Sequence, residues 1–223
     1  MQKKVIIAGA GDALGSRLTA AFLEKGWKVF AGYCREDERR GPEENLSVFG
    51  IDPRDHFYIK AAVKKVGEPV DLLIVNVDKE FGDKKATIQD DMDYDSLMEA
   101  YDYNCLGPLR LINAFLPLLE QGGGKRIGVV TSKESSNNLC EDTDNFAAHI
   151  SKAPLNMALT QLFNGLRPEG YTFRVYCKDQ ENGHDEWALD YFLRDRSYEP
   201  EDLKHSDEER IVMRDWMAKE VPW

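Results

Sequence analysis

No apolar run in this 223-residue chain approaches the roughly 20 residues that a helix needs to cross a bilayer, so a helical membrane protein is excluded. The basic start Met1-Gln2-Lys3-Lys4 leads into a short β-type run and then glycines. It does not lead into a long apolar segment with a cleavage site, and the expectation is a cytoplasmic protein. Positive charge is also scarce: 29 Lys and Arg stand against 40 Asp and Glu, for a formal net charge of -11. Phosphate backbones require a basic face, so a nucleic-acid partner is excluded. The four cysteines, Cys34, Cys105, Cys140 and Cys177, are far apart and form no C-x-x-C or Cys/His cluster. That argues against a zinc site and against a disulfide framework, and they read as reduced thiols, mostly packing residues.

The chain is 42% apolar and 10% aromatic, enough for one sizeable core over residues 1–223 without staples. Apolar, β-rich runs alternate with amphipathic stretches. The runs are Val5-Ile6-Ile7-Ala8, Val29-Phe30-Ala31, Leu72-Leu73-Ile74-Val75, Ile127-Gly128-Val129-Val130 and Phe173-Arg174-Val175-Tyr176, with a weaker one at Leu46-Ser47-Val48-Phe49. Leu14, Leu18, Ala21 and Phe22 recur at helical spacing, and Gly26 stands where that helix would end. One long helix is predicted between Tyr94 and Leu119, broken at Gly107-Pro108, and another between Phe146 and Leu166. Alternation of this kind predicts an α/β fold, a doubly wound parallel sheet with helices on both faces. Beyond Tyr176 the chain turns polar and charged, but Val212, Met213, Trp216 and Met217 make a stripe at helical spacing. The stripe predicts a final amphipathic helix docked on the body.

The first run enters Ala8-Gly9-Ala10-Gly11-Asp12-Ala13-Leu14-Gly15 and then a helix. Glycines between strand and helix let a pyrophosphate approach the backbone, and the helix N-terminus offers free N–H groups; the same glycines could also serve only a tight turn. The spacing resembles the T-G-x-x-x-G-x-G pattern of the short-chain dehydrogenase/reductase family, with Ala8 for threonine and Ala13 for the middle glycine. Ile51-Asp52-Pro53 resembles that family's D-x-x-D segment, and Asp71 through Asp78 resembles D-x-L-V-N-N-A-G, in which only Asn76 of the last four positions matches. Asn104-Cys105-Leu106-Gly107 resembles N-x-x-G, and Lys125 through Ser132 resembles G-x-I-V-x-x-S-S. Ser151-Lys152-Ala153-Pro154-Leu155-Asn156, continuing to Arg167-Pro168-Glu169-Gly170, is similar to the S-K-A-A-L-N helix and its P-x-G exit. The resemblance covers about residues 5–176 and leaves 177–223 divergent.

The resemblance implies a Rossmann-type three-layer α/β/α fold with strand order 3-2-1-4-5-6. It implies dinucleotide binding through Gly9, Gly11, Leu14, Gly15, Asp52, Asn76 and Lys152. At the end of the second run the chain has Tyr33-Cys34-Arg35, with no acid until Glu36. An arginine there favours the ribose phosphate of NADP, although an arginine at a strand end is more often solvated than a ligand contact. Ser132 falls at the substrate-orienting serine, or caps the next turn, and Asn104 falls at the asparagine that keeps a relay water, or marks a kink. Lys152 falls at the lysine that holds the nicotinamide ribose and lowers the pKa of a tyrosine one helical turn earlier. That position is Ala148, so the catalytic set Ser132, Lys152 and Asn104 lacks its proton donor, a role commonly worth about 10²–10⁴-fold in rate. His149 is the nearest titratable substitute and points about 100° away around the helix. The P-G after the sixth strand is also missing, with Cys177-Lys178-Asp179 in its place.

Two functions follow. One is an oxidoreductase, an NADP-dependent carbonyl reductase or alcohol dehydrogenase with a degraded relay. The other is a non-catalytic relative, a pseudoenzyme or regulatory subunit, that binds a nucleotide or a partner. The small-molecule substrate is not legible. Family members pair through their fourth and fifth helices, and a homodimer is expected through Met98, Tyr101, Leu109, Phe115, Leu155, Leu159 and Phe163.

Overall fold

The computed structural model describes residues 2–35, 41, 43–178, 185–193 and 209–223; Glu36 and Asp179 lie outside them. Strands β1 (Lys4–Ala8), β2 (Lys28–Tyr33), β3 (Leu46–Gly50), β4 (Leu72–Val75), β5 (Arg126–Thr131) and β6 (Thr172–Cys177) form one sheet with β7 (Met213–Arg214) and β8 (Glu220–Val221). The order is β3-β2-β1-β4-β5-β6-β7-β8. Pairings are parallel from β3 through β7, and only β7 with β8 is antiparallel. The direction of the chain reverses its winding between β1 and β4, where ligands bind in sheets of this kind.

Both faces of the sheet are covered, which is why the strands read as continuous apolar runs rather than alternating ones. On one face Ile6, Leu73 and Val129 pack with Ile59 of α2 (His56–Val66), Phe115 of α4 (Gly107–Glu120) and Leu159 of α5 (Phe146–Leu166). On the other, Val5, Ile7 and Ile74 pack with Leu14, Leu18 and Phe22 of α1 (Ala13–Glu24) and with Tyr191 and Phe192 of α6 (Glu186–Leu193). Among the described residues no helix is long and apolar enough to cross a membrane.

Three expectations are corrected. The helical winding after Tyr94 is not broken at Gly107-Pro108: α3 (Tyr94–Tyr101) passes into a wide π-turn over Asp102–Leu106 and continues as α4. Pro108 sits in the first turn of α4, where its missing N–H costs nothing. Gly107 is needed for contact, since a Cβ there would lie 2.8 Å from Pro53 Cβ.

The final segment is a β-hairpin, not a helix. Asp215 Oδ1 accepts from the backbone N–H groups of Met217 and Lys219, both at 2.9 Å, a local side-chain bond that competes with helix formation. Val212 and Met213 are buried as the hairpin extends the sheet, while Trp216 and Met217 are exposed at its tip. Finally, Phe115, Leu155, Leu159 and Phe163, expected at a dimer surface, lie 0–3% exposed in the core. Of the expected apolar contacts on these helices, Met98 is exposed, and Met157, not foreseen, joins it.

Candidate active site

At the C-terminal edge of β1 the chain turns sharply, and Gly9 takes φ +93°. Its N–H and that of Ala10 both donate to the Gly32 carbonyl, at 2.9 and 2.8 Å. A Cβ on Gly9 would meet the Asn76 carbonyl oxygen at 2.0 Å, and one on Gly15 the Gly9 carbonyl oxygen at 2.3 Å. Both glycines are therefore required by the close seating of strand, loop and helix, whatever else they serve. Asn76 cross-links the loop: its Nδ2 donates to the Gly9 carbonyl and to Asp12 Oδ1, each at 2.8 Å. Asp12 caps α1, accepting from Gly15 N–H at 2.7 Å. A carboxylate thus stands at the positive end of the helix, where an anion would otherwise be drawn.

A cavity of about 520 Å³ opens from this loop, lined among others by Gly9, Gly11, Cys34, Arg35, Ile51, Asp52, Arg54, Asn76 and Tyr103. Arg35, Asp52, Asn76, Gly9 and Gly11 are brought together as the sequence reading expects. Leu14 instead packs in the core at 3% exposure, so that only its backbone is available to a ligand. Arg54 and Tyr103, which sequence reasoning passed over, form one wall: the guanidinium lies 5.5 Å from the ring centroid, within cation–π range. Asp78, Lys79 and Glu80 also line it.

Bonded to Asp78 and Lys79 are residues at the relay positions. Ser132, at the exit of β5, is fully buried, and Lys152 of α5 donates to its Oγ at 2.9 Å. Asn104, in the π-turn, is tied to the backbone of Lys79 by two bonds, Lys79 N–H to Oδ1 at 2.9 Å and Nδ2 to the Lys79 carbonyl at 2.8 Å. It also donates to Ser151 Oγ at 3.2 Å. Ala148 lies on the turn of α5 that precedes Lys152 and offers no proton. His149 faces away from this group: its Nδ1 is 3.0 Å from the Glu134 carbonyl oxygen and its Nε2 3.2 Å from Asp142 Oδ2. Cys177 and Cys105 are buried packing residues, whereas Cys34 and Cys140 are exposed; burial pushes the Cys177 thiol up to about 12.

Lys152 has a second partner. Asp78 Oδ2 lies 3.1 Å from its Nζ and 3.0 Å from Lys178 Nζ, at the exit of β6. Burial pushes the Asp78 carboxyl up, but the Lys152 and Lys178 charges and their hydrogen bonds pull it below the ordinary carboxylate value. Glu134 is likewise lowered, burial being outweighed by Lys152 and by the bond to Ser132. Oδ1 of Asp78 is buried with no hydrogen-bond partner among the described residues. Single-sequence reading notes the acid at 78 and the lost P-G at 178 but carries no sign that the two touch.

The residues test a dinucleotide unevenly. The adenosine half fits a cavity bounded by the glycine loop, Asp52 and Arg35. The nicotinamide half would meet the Asp78 carboxylate where Lys152 should receive a ribose.

A sequence profile described as short chain dehydrogenase matches residues 3–177. C-signal of Myxococcus xanthus is 42% identical over 81 residues, 36% of this chain and 49% of that protein, so the match spans about half of it. The 1-hydroxy-2-glutathionyl-2-methyl-3-butene dehydrogenase of Rhodococcus sp. (strain AD45) is 26% identical over 170 residues, 74% of this chain and 72% of the enzyme. Among solved structures, a short chain dehydrogenase from Burkholderia cenocepacia J2315 in complex with NADP superposes with a TM-score of 0.70 at 22% identity, covering 86% of this chain and 84% of that one. With the fold, the strand order and a profile match over most of its length, the chain belongs to the short-chain dehydrogenase family of oxidoreductases.

Proposed function

We propose that the protein is an NADP(H)-dependent carbonyl reductase or alcohol dehydrogenase that works slowly, through Ser132 and Lys152, without a phenolic acid. The observation that carries this reading is the 2.9 Å bond from Lys152 Nζ to Ser132 Oγ at the C-terminal edge of the parallel sheet. The serine's own proton goes to the Glu134 carboxylate, an acceptor only, and a substrate oxygen would take it by displacing that bond. A bound nicotinamide would supply or take up the hydride. Ser132 orients the carbonyl and passes its proton, and Lys152 returns one to it. Asn104 holds the Lys79 backbone in place beside them. Gly9, Gly11, Leu14 by its backbone, Gly15, Asp52 and Asn76 form the adenosine end, with Arg35 on the ribose phosphate, and the NADP-bound Burkholderia cenocepacia relative supports this choice of cofactor. The residues 1–223 act as one unit, cytoplasmic, paired as a homodimer through exposed Met98 and Met157.

The test is NADPH oxidation over a carbonyl panel. Slow turnover that Lys152→Ala abolishes supports the reading, and turnover undiminished by Lys152→Ala defeats it. Ala148 together with the Asp78 contact on Lys152 favours a second reading, a nucleotide-binding relative without turnover; NADPH binding with no oxidation under any substrate would select it.

A further inference from the structure

We infer that Asp78 is a gate over the nicotinamide end of the site, latched by Lys178, so that the resting protein binds the adenosine phosphate half of its ligand and admits the other half only when the carboxylate turns away. The inference rests on the cofactor reading above. Three observations carry it.

The first is place. Asp78 follows β4, Lys178 follows β6 and Lys152 stands on α5; of the three only Asp78 lines the 520 Å³ cavity, and it carries the two lysines behind it at 3.0 and 3.1 Å. Neither Ser132 nor Lys152 lines that cavity. A ligand seated in it therefore stops at Asp78.

The second is chemistry. A carboxylate is an acceptor only, and here it takes the Lys152 ammonium that would otherwise donate to a ribose hydroxyl. A ribose can reach Lys152 only by displacing a desolvated ionic partner.

The third is pairing. Asp78 and Lys178 both stand where the family pattern has residues without charge, and Lys178 without Asp78 would lose the carboxylate it is paired with in a largely buried place, which is strongly unfavourable. Together they satisfy one another at 3.0 Å. Opening is also built in, because Oδ1 makes no hydrogen bond among the described residues and turning the carboxylate sacrifices only the bonds to the lysines.

The test is calorimetric titration of the full chain with adenosine 2′,5′-bisphosphate and with NADPH. In the native protein the two should bind within about threefold of each other, and Asp78→Gly should tighten NADPH by about tenfold or more while leaving the bisphosphate within about twofold. Lys178→Met, which unlatches the gate but keeps Asp78, should tighten NADPH by a smaller factor and guards against a variant that fails to fold. NADPH binding more than about tenfold tighter than the bisphosphate in the native protein, or indifferent to both substitutions, overturns the gate and leaves the cofactor reading standing. Failure of both ligands to bind any of the three proteins overturns the cofactor reading and the gate with it.

Discussion

The Lys178 ammonium lies 3.0 Å from the Asp78 carboxylate across the C-terminal ends of β6 and β4, and the same oxygen takes Lys152 at 3.1 Å. Two departures from the family pattern that look like separate losses in sequence are thus a single contact. Side-chain exposures of 19% for Asp78 and Lys178 and 8% for Lys152 place it where charge is poorly screened. Burial works against the Lys178 ammonium, but the Asp78 carboxylate outweighs it and raises its pKa above the ordinary lysine value.

The contact sets a pH dependence of stability. Asp78 has a folded pKa below its unfolded one, so its contribution is present above the unfolded value near 3.8 and is lost as pH falls through the lower folded value. Lys178 has a raised pKa, so its contribution is complete below 10.5 and is lost as pH rises through the folded value. Asp78→Asn should cost about 3 kcal/mol at neutral pH, by leaving two lysines facing each other around a neutral amide. In urea titrations the gap between native and variant should stay level through neutrality and shrink below pH 3.8. A gap that widens on acidification would contradict the assignment.

A second prediction concerns the glycine loop as structure rather than ligand site. Gly9→Ala places a methyl 2.0 Å from the Asn76 carbonyl oxygen on a backbone at φ +93°, combining a left-handed conformation with overpacking against main chain. A loss of about 2–4 kcal/mol is expected, or roughly 4–16 °C in Tm for a chain of this size. Calorimetry without any ligand reads it, and an unchanged Tm would mean that the loop relaxes at no cost.

How much of this was legible in the sequence follows from what each segment's pattern can distinguish. The six parallel strands are readable because burial on both faces makes them continuous apolar runs, and even the weak Leu46 run pairs with β2. The helix over Phe146–Leu166 is readable at both ends. The C-terminal hairpin is not: Val212, Met213, Trp216 and Met217 fit helical spacing by accident, and the outcome is decided by the Asp215 side chain bonding its own turn. Spacing likewise marks Phe115 and Leu159 as one apolar face without saying whether sheet or partner covers it; the sheet does. The acid at 78 is visible, but its latch lies far along the chain and a single sequence carries no trace of the pairing.

A third prediction addresses the acid at the head of α1. Asp12→Ser keeps a capping oxygen for Gly15 N–H and removes the negative charge from the place where the helix would attract a phosphate. Stability should fall by about 1–2 kcal/mol, because the bond from Asn76 Nδ2 to Asp12 Oδ1 is given up along with the charge, while adenosine 2′,5′-bisphosphate should bind about 2–5-fold tighter, more so at low salt. Titration at two ionic strengths measures both. Weaker binding in the variant would show that Asp12 contacts the ligand as a partner rather than opposing it.

The last prediction concerns the missing proton donor. Four residues make about one helical turn, so positions 148 and 152 lie on the same side of α5, and Ala148 is only half-buried, so the core does not enclose it on every side. Ala148→Tyr should bring a phenol toward the Lys152–Ser132 pair and raise NADPH-dependent carbonyl reduction by about 10²-fold, the lower end of what a positioned general acid supplies. Ala148→Phe has the same bulk without the hydroxyl and should gain nothing, separating proton donation from packing. Asp78 still stands over Lys152, so the gain should be realised in kcat/KM only in part and should grow when Ala148→Tyr is combined with Asp78→Gly. Steady-state rates of the four proteins measure this directly. Equal rates for the Tyr and Phe variants would place the limiting step elsewhere than in proton transfer at position 148.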